Sequence, residues 1–108
     1  MYVIGRSDLA PGYQAVQGMH AGIQFIFDHP DVASQWHLNS DYLCFLSVAD
    51  EKALLEMVSQ ANSLGLKCSV FREPDIGNQV TAIALEPNEA SKRLCSRLTL
   101  ALKGVKNA

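Results

Sequence analysis

Tyr2-Val3-Ile4-Gly5-Arg6-Ser7-Asp8-Leu9 leads into Pro11-Gly12 and then into Gln17-Gly18-Met19-His20-Ala21. The apolar run from Tyr2 to Gly5 predicts a short buried strand with Arg6 at its exit. Pro11-Gly12 signals a turn. From Tyr13 to Phe27, Val16, Met19, Ile23 and Phe27 recur at spacings of three and four, which predicts one apolar helical face. Ala15, Ala21 and Gly22 are small enough to let this helix pack closely on a sheet. Gly18 and Gly22 each cost about 1 kcal/mol of helix propensity relative to Ala, a cost usually kept for a close backbone approach. Strand, turn and helix in this order start an α/β unit, and polar groups gather at its junction. Open α/β sheets place their ligands at such junctions.

The rest of the chain continues the alternation. Asp28-His29-Pro30-Asp31 breaks the first helix, and Pro30 starts a short second one through Trp36. Tyr42 to Val48 is a continuous apolar run, expected to be a central strand covered on both faces. Asp50 caps a helix with Leu54, Leu55, Val58, Ala61 and Leu64 on one side, stopped by Gly65. Lys67 to Phe71 reads as a third strand, Arg72 to Asn78 as a polar loop, and Thr81 to Leu85 as a fourth strand. Pro87 is expected to start a final helix, with Ala90, Leu94, Leu98 and Leu102 inward and Lys92, Arg93 and Arg97 outward. The order β-α-(α)-β-α-β-β-α predicts a three-layer α/β/α fold on a four-stranded mixed sheet. Its 108 residues are expected to form a single domain, 1–108.

Composition narrows the function classes. Hydrophobic residues make up 48% of the chain and charged residues 19%, enough for a core without staples. The net charge is −2 and the pI about 5.8, which argues against a dedicated high-affinity nucleic-acid binder and leaves room for transient RNA contact. Cys44, Cys68 and Cys95 are odd in number and lack a C-x-x-C pair, so they read as structural thiols of a reducing compartment rather than zinc ligands. No apolar run reaches transmembrane length and no leader pattern opens the chain, so the expected location is cytoplasmic with no membrane contact.

His20 is the central chemical candidate. It follows Gln17 by three residues, which makes the two neighbours on one helical face. A neutral imidazole can serve as general base, or it can simply bond a backbone carbonyl at the edge of the core. Glu73-Pro74-Asp75 places two carboxylates around a proline; they could orient a water or a ribose hydroxyl, or satisfy their own turn. Thr81, in isolation, is a β-former at a strand entrance. Arg6 and Asp8 could pair or meet a ligand. The cationic stripe Lys92, Arg93, Arg97 and Lys103 could touch phosphate, or be a solvated helix face. Nothing matches a P-loop, a dinucleotide fingerprint, a zinc motif or a nucleophile elbow.

In order along the chain, these residues resemble the second family of peptidyl-tRNA hydrolases, the archaeal and eukaryotic type. The family opens with an apolar strand, Arg-x-Asp-Leu, a glycine turn and a helix with Ala-x-Gln-x-x-His-Ala. Here these are Arg6-Ser7-Asp8-Leu9, Gly12 and Ala15-Val16-Gln17-Gly18-Met19-His20-Ala21. An Asp-Glu-x-x-Leu helix and a Leu-Gly turn follow, matched by Asp50-Glu51-Lys52-Ala53-Leu54 and Leu64-Gly65. The last strand with its Thr is matched by Thr81 to Leu85. The resemblance implies hydrolysis of the ester between a peptide and the 3′ end of tRNA, without a metal or other cofactor, and often by a homodimer. Carried over by position, Gln17 and His20 match the helix pair, Asp75 or Glu73 the loop Asp, and Thr81 the last-strand Thr; on this reading His20 and Asp75 would position or activate water, and Gln17 and Thr81 would orient the ester. Arg6, Asp8, Tyr13 and Glu73 would face the substrate.

The chain departs from the family in two places. The family's turn usually reads Gly-Lys-Gly-Lys; here Pro11-Gly12-Tyr13 puts Tyr13 where a lysine would stand. The later Asp-Ala-Gly-Arg-Thr loop is replaced by Glu73-Pro74-Asp75-Ile76-Gly77-Asn78, as in the divergent, hydrolase-domain-containing branch. Two other functions fit the same residues: a non-catalytic RNA- or nucleotide-binding module, and a hydrolase of a smaller ester or amide.

Overall fold

The structure is a computed structural model that describes residues 1–104. The chain runs β1 (Tyr2–Arg6), α1 (Pro11–Asp28), α2 (Pro30–Asn39), β2 (Cys44–Val48), α3 (Glu51–Ser63) and β3 (Cys68–Glu73). A 3-10 turn at Pro74–Ile76, β4 (Gln79–Leu85), α4 (Glu89–Leu94) and β5 (Thr99–Leu100) complete it. The sheet is mixed, in the order β3-β4-β1-β2-β5. β1 lies in its middle, parallel to β2 with Ile4 beside Leu46, and antiparallel to β4 with Ile4 beside Ile83.

Alternation along the strands splits the core into two layers. Tyr2, Ile4, Leu46, Val80, Ile83 and Leu85 face α3, meeting Leu54, Met57 and Ala61. Met1, Val3, Ala82 and Ala84 face α1, meeting Ala21 and Phe25. Capping fixes two of the helix starts: the Asp50 carboxylate accepts from the Ala53 N–H at 2.9 Å, and the Asn88 side chain accepts from the Ser91 N–H at 2.8 Å.

The sheet has five strands, not the expected four, and the final helix is short. Asn88, not Pro87, marks its start, and it ends at Leu94. A turn closed by Leu98 N–H to the Cys95 carbonyl follows at 3.0 Å. Thr99 and Leu100 then pair with Ser47 and Leu46, and the Ala101 N–H reaches the Phe45 carbonyl at 2.9 Å. Without this return, β2 would present an open edge, so pairing its backbone outweighs continuing a surface helix. Leu98 therefore packs from a turn, and Leu102 adopts a left-handed conformation (φ 61°) beyond β5.

The apolar face of α1 exists as expected, but it is the outer face. Val16, Met19, Ile23 and Ile26 are exposed, and Phe27 is 77% exposed. The buried residues are Gln14, Gln17, Gly18, Ala21 and Phe25. Close packing is the reason. The Phe45 ring from β2 stands against α1, and a Cβ at Gly18 would come within 2.8 Å of it. Only small residues, or polar ones with partners waiting, fit that side. Tyr42–Val48 also differs from its expectation: Tyr42 and Leu43 are exposed and the strand starts at Cys44, second from the sheet edge. The outer side of α1 and β2 leave an apolar groove of about 440 Å³ between them, lined by Met1, Val3, Met19, Ile23, Phe45 and Leu102 among others.

A register shift between Phe71 and Arg72 marks the β3–β4 pair. Phe71 pairs with Ala82, but Arg72 pairs with Val80, so Thr81 is the extra residue on β4. Strict alternation would put Thr81 on the α3 side with Ile83 and Leu85. The bulge turns Thr81 to the α1 side, beside Ala82, and carries Val80, which alternation would place with Ala82 and Ala84, into the α3 layer.

Candidate active site

The site forms where α1 crosses the ends of β3 and β4. Gln17, 1% exposed, is pinned at both ends of its amide. Its Oε1 accepts from the Thr81 hydroxyl at 2.5 Å, and its Nε2 donates to the Glu73 carboxylate at 3.0 Å. Thr81 is fully buried, so the bulge in β4 is what allows this contact. A hydroxyl donor on one side and a carboxylate acceptor on the other leave a single amide orientation.

Glu73 lies at the end of β3, beyond the expected limit of that strand, and faces α1 together with Ser69 and Phe71. Ser69 donates to Asp28 at 2.8 Å at the far end of the same row. With the Gln24 amide it holds the Asp28 carboxyl below the usual carboxylate range. Asp75 sits exposed on the 3-10 turn, and its backbone N–H donates to the Glu73 carboxylate at 3.5 Å. The turn ends at Gly77 with φ 71°, a left-handed position that suits glycine.

Tyr13 comes from the first turn of α1, and its hydroxyl is buried without a hydrogen-bond partner. Burial first, and then the nearby Glu73 and Asp75 carboxylates, push its pKa up. Tyr13 therefore remains a neutral donor where the family's lysine would be a cation. His20 is about two turns further along α1, exposed, with its ring stacked on Phe71: centroids 4.3 Å apart, planes 3° from parallel.

Arg6 and Asp8 stand at the exit of β1. The guanidinium donates through Nε and Nη2 to the two oxygens of Asp8 at 3.0 and 2.9 Å. Its Nη1 donates to Gln79 Oε1 at 2.8 Å and to the Val80 carbonyl at 3.1 Å. Four of the five guanidinium N–H groups are thus committed. Arg6 ties the β1 exit to the start of β4, next to Thr81, and its hydrogen bonds hold the Asp8 carboxyl below the usual range. Gln14 closes the junction by donating to the Leu9 carbonyl at 2.6 Å.

The structure thus brings Tyr13, Gln17, Glu73 and Thr81 into one cluster, with Asp75 and His20 at its rim and Arg6–Asp8 adjoining it. Sequence reasoning missed Phe71, whose signal is its place two residues before Glu73 on a strand of period two. It also missed Gln79 as the second partner of Arg6. Among the described residues, no group of three or more His, Cys, Asp or Glu is placed to hold a metal ion. Chemically, the arrangement offers an exposed base stacked on Phe71, a carboxylate held by Gln17 and a rigid polar floor, which suits activation of a water against an ester.

Residues 1–104 match the family described as Peptidyl-tRNA hydrolase PTH2. A peptidyl-tRNA hydrolase of Methanocaldococcus jannaschii is 31% identical over 104 aligned residues, covering 85% of this chain and 89% of the relative.

Proposed function

Since the chain belongs to the second peptidyl-tRNA hydrolase family and is a peptidyl-tRNA hydrolase-like protein, we propose that it cleaves the ester joining a peptidyl group to the 3′ oxygen of tRNA. The family match across residues 1–104 carries this reading. His20 accepts a proton from water as the water oxygen bonds to the ester carbonyl carbon, and it returns the proton to the leaving 3′ oxygen as the C–O bond breaks. Asp75 orients that water from the 3-10 turn. Gln17 and Thr81 orient the site from beneath, because their hydrogen bonds hold Glu73 and leave no freedom at the floor. Tyr13 offers its hydroxyl to the developing oxyanion, a weaker stabiliser than a lysine. Arg6 and Asp8 shape the rim on the substrate side.

The same reading includes a homodimer in the cytoplasm. Val16, Met19, Ile23 and Ile26 form an exposed apolar stripe beside the groove under Leu43 and Phe45, and a second copy would cover it. Cys44, Cys68 and Cys95 are all free thiols, as suits a reducing compartment. No helix among the described residues is long and apolar enough to cross a membrane.

The test is release of N-acetyl-amino acid from labelled N-acetylaminoacyl-tRNA. Wild type should turn over, His20→Ala should lose about 10²–10⁴ in kcat, and Asp75→Asn should lose less. Retention of tRNA with no turnover would replace this reading with a binding module. Cleavage of a small ester without tRNA binding would replace it with a narrower hydrolase.

A further inference from the structure

We infer that Phe71 is the positioning residue for His20, setting the imidazole plane by stacking where other hydrolases use a carboxylate. This rests on the hydrolase reading above. A catalytic base acts efficiently only when a further group fixes its orientation, most often by a hydrogen bond to one ring nitrogen. His20 is held differently. Its ring lies 4.3 Å from that of Phe71 and within 3° of parallel. A parallel stack engages the face of the imidazole and leaves both nitrogens free at its edge. One nitrogen can then take a proton from water while the other remains solvated, and among the described residues no carboxylate is hydrogen-bonded to either.

Phe71 is equipped for this by its surroundings. It is partly buried and packs on the layer that contains Ala21, Phe25, Ala82 and Ala84. Its backbone partner is Ala82, the last regular pair before the bulge. A small residue opposite leaves space for the Phe71 ring to lean toward α1. The same bulge delivers Thr81 to Gln17. The bulge in β4 thus sets the floor of the site, and the regular alternation of β3 sets the platform under its base.

The experiment uses the intact protein with N-acetylphenylalanyl-tRNA, and compares wild type, Phe71→Leu, Phe71→Tyr, His20→Ala and the double variant His20→Ala/Phe71→Leu. Leucine keeps the bulk and loses the ring; tyrosine keeps both. Phe71→Leu should lower kcat at least about tenfold with KM within twofold, as a misaligned base does. Phe71→Tyr should recover most of the rate. In the His20→Ala background, Phe71→Leu should cost nothing further. The imidazole carbon-bound protons of His20 should also move downfield in Phe71→Leu, as the ring current above them is lost, and return in Phe71→Tyr. Unchanged kcat in Phe71→Leu, an equal loss in the His20→Ala background, or His20 protons indifferent to Phe71 would each overturn the inference while the hydrolase reading stood. A wild type without turnover, with the ring-current signature intact, would overturn the hydrolase reading and with it the catalytic role of the stack.

Discussion

The two faces of α1 are built on opposite plans. The inner face carries Gln14, Gln17, Gly18, Ala21 and Phe25, all buried. The outer face carries Val16, Met19, Ile23, Ile26 and Phe27, all exposed. Hydrophobicity alone would assign them the other way round. What separates them is what waits on the other side. The inner face meets a Thr hydroxyl, a Glu carboxylate and an aromatic ring at contact distance, so its polar residues are satisfied and its glycine is required. Burial selects for fit and for completed hydrogen bonds as much as for apolarity.

The largest test of this contrast is the pair of phenylalanines two residues apart. Phe25 is fully buried and Phe27 largely exposed. Phe25→Ala should destabilise by about 3–5 kcal/mol. Phe27→Ala should stay within about 0.5 kcal/mol, both read from urea unfolding. Similar losses at the two positions would break the distinction.

The polar part of the inner face is tested next. Thr81→Val leaves the buried Gln17 carbonyl without its donor, for a loss of about 1–3 kcal/mol by the same measurement. No loss would mean that the Gln17–Thr81 bond is not structural.

The glycines sharpen the picture further. A Cβ at Gly18 would sit 2.8 Å from the Phe45 ring, whereas at Gly22 the nearest atoms are 3.8 and 3.9 Å away. Gly18→Ala should cost about 1–2 kcal/mol after its helix-propensity gain is counted. Gly22→Ala should stabilise by up to about 1 kcal/mol. Matching thermal shifts of the same sign would contradict the close approach at Gly18.

On the outer face, Ile23→Glu should barely alter monomer stability, within about 0.5 kcal/mol, but should shift the mass seen by sedimentation from dimer to monomer. A dimer indifferent to Ile23→Glu would place the interface elsewhere.

The smallest effect is one of pH. Hydrogen bonds lower the carboxyls of Asp8 and Asp28 below their unfolded values. The unfolded chain therefore takes up protons first as pH falls. The stability these groups contribute is complete above the usual carboxylate range, near pH 4, and is lost as pH drops through their folded values. Asp28→Asn should flatten the fall of the urea midpoint below about pH 4. An unchanged slope would detach Asp28 from the acid limb.

Much of the molecule can be read without coordinates. The opening strand, the helix after it, the Asp50 cap and the Gly65 stop follow from local signals, because capping and helical spacing act within a few residues. Pro11-Gly12, read as a turn, is instead the first part of α1, because proline suits the first helical position. The final helix could not be read this way. Ala90, Leu94, Leu98 and Leu102 keep helical spacing, yet β2 offers Thr99 and Leu100 a pairing edge. Phe71 was not visible as a site residue either, because nothing local says that a strand phenylalanine will lie under a histidine 51 positions earlier in the chain.

The local sequence thus settles the first four strands and the first three helices, and which turns of α1 present Gln17 and His20. Two facts of the site depend on the assembled sheet. One is the side of α1 that turns inward, set by the space that Phe45 leaves. The other is the face on which Thr81 emerges, set by a bulge that reverses its parity. Both are properties of a contact between distant segments, and a residue's own neighbours hold no information about the shape of the surface it will meet.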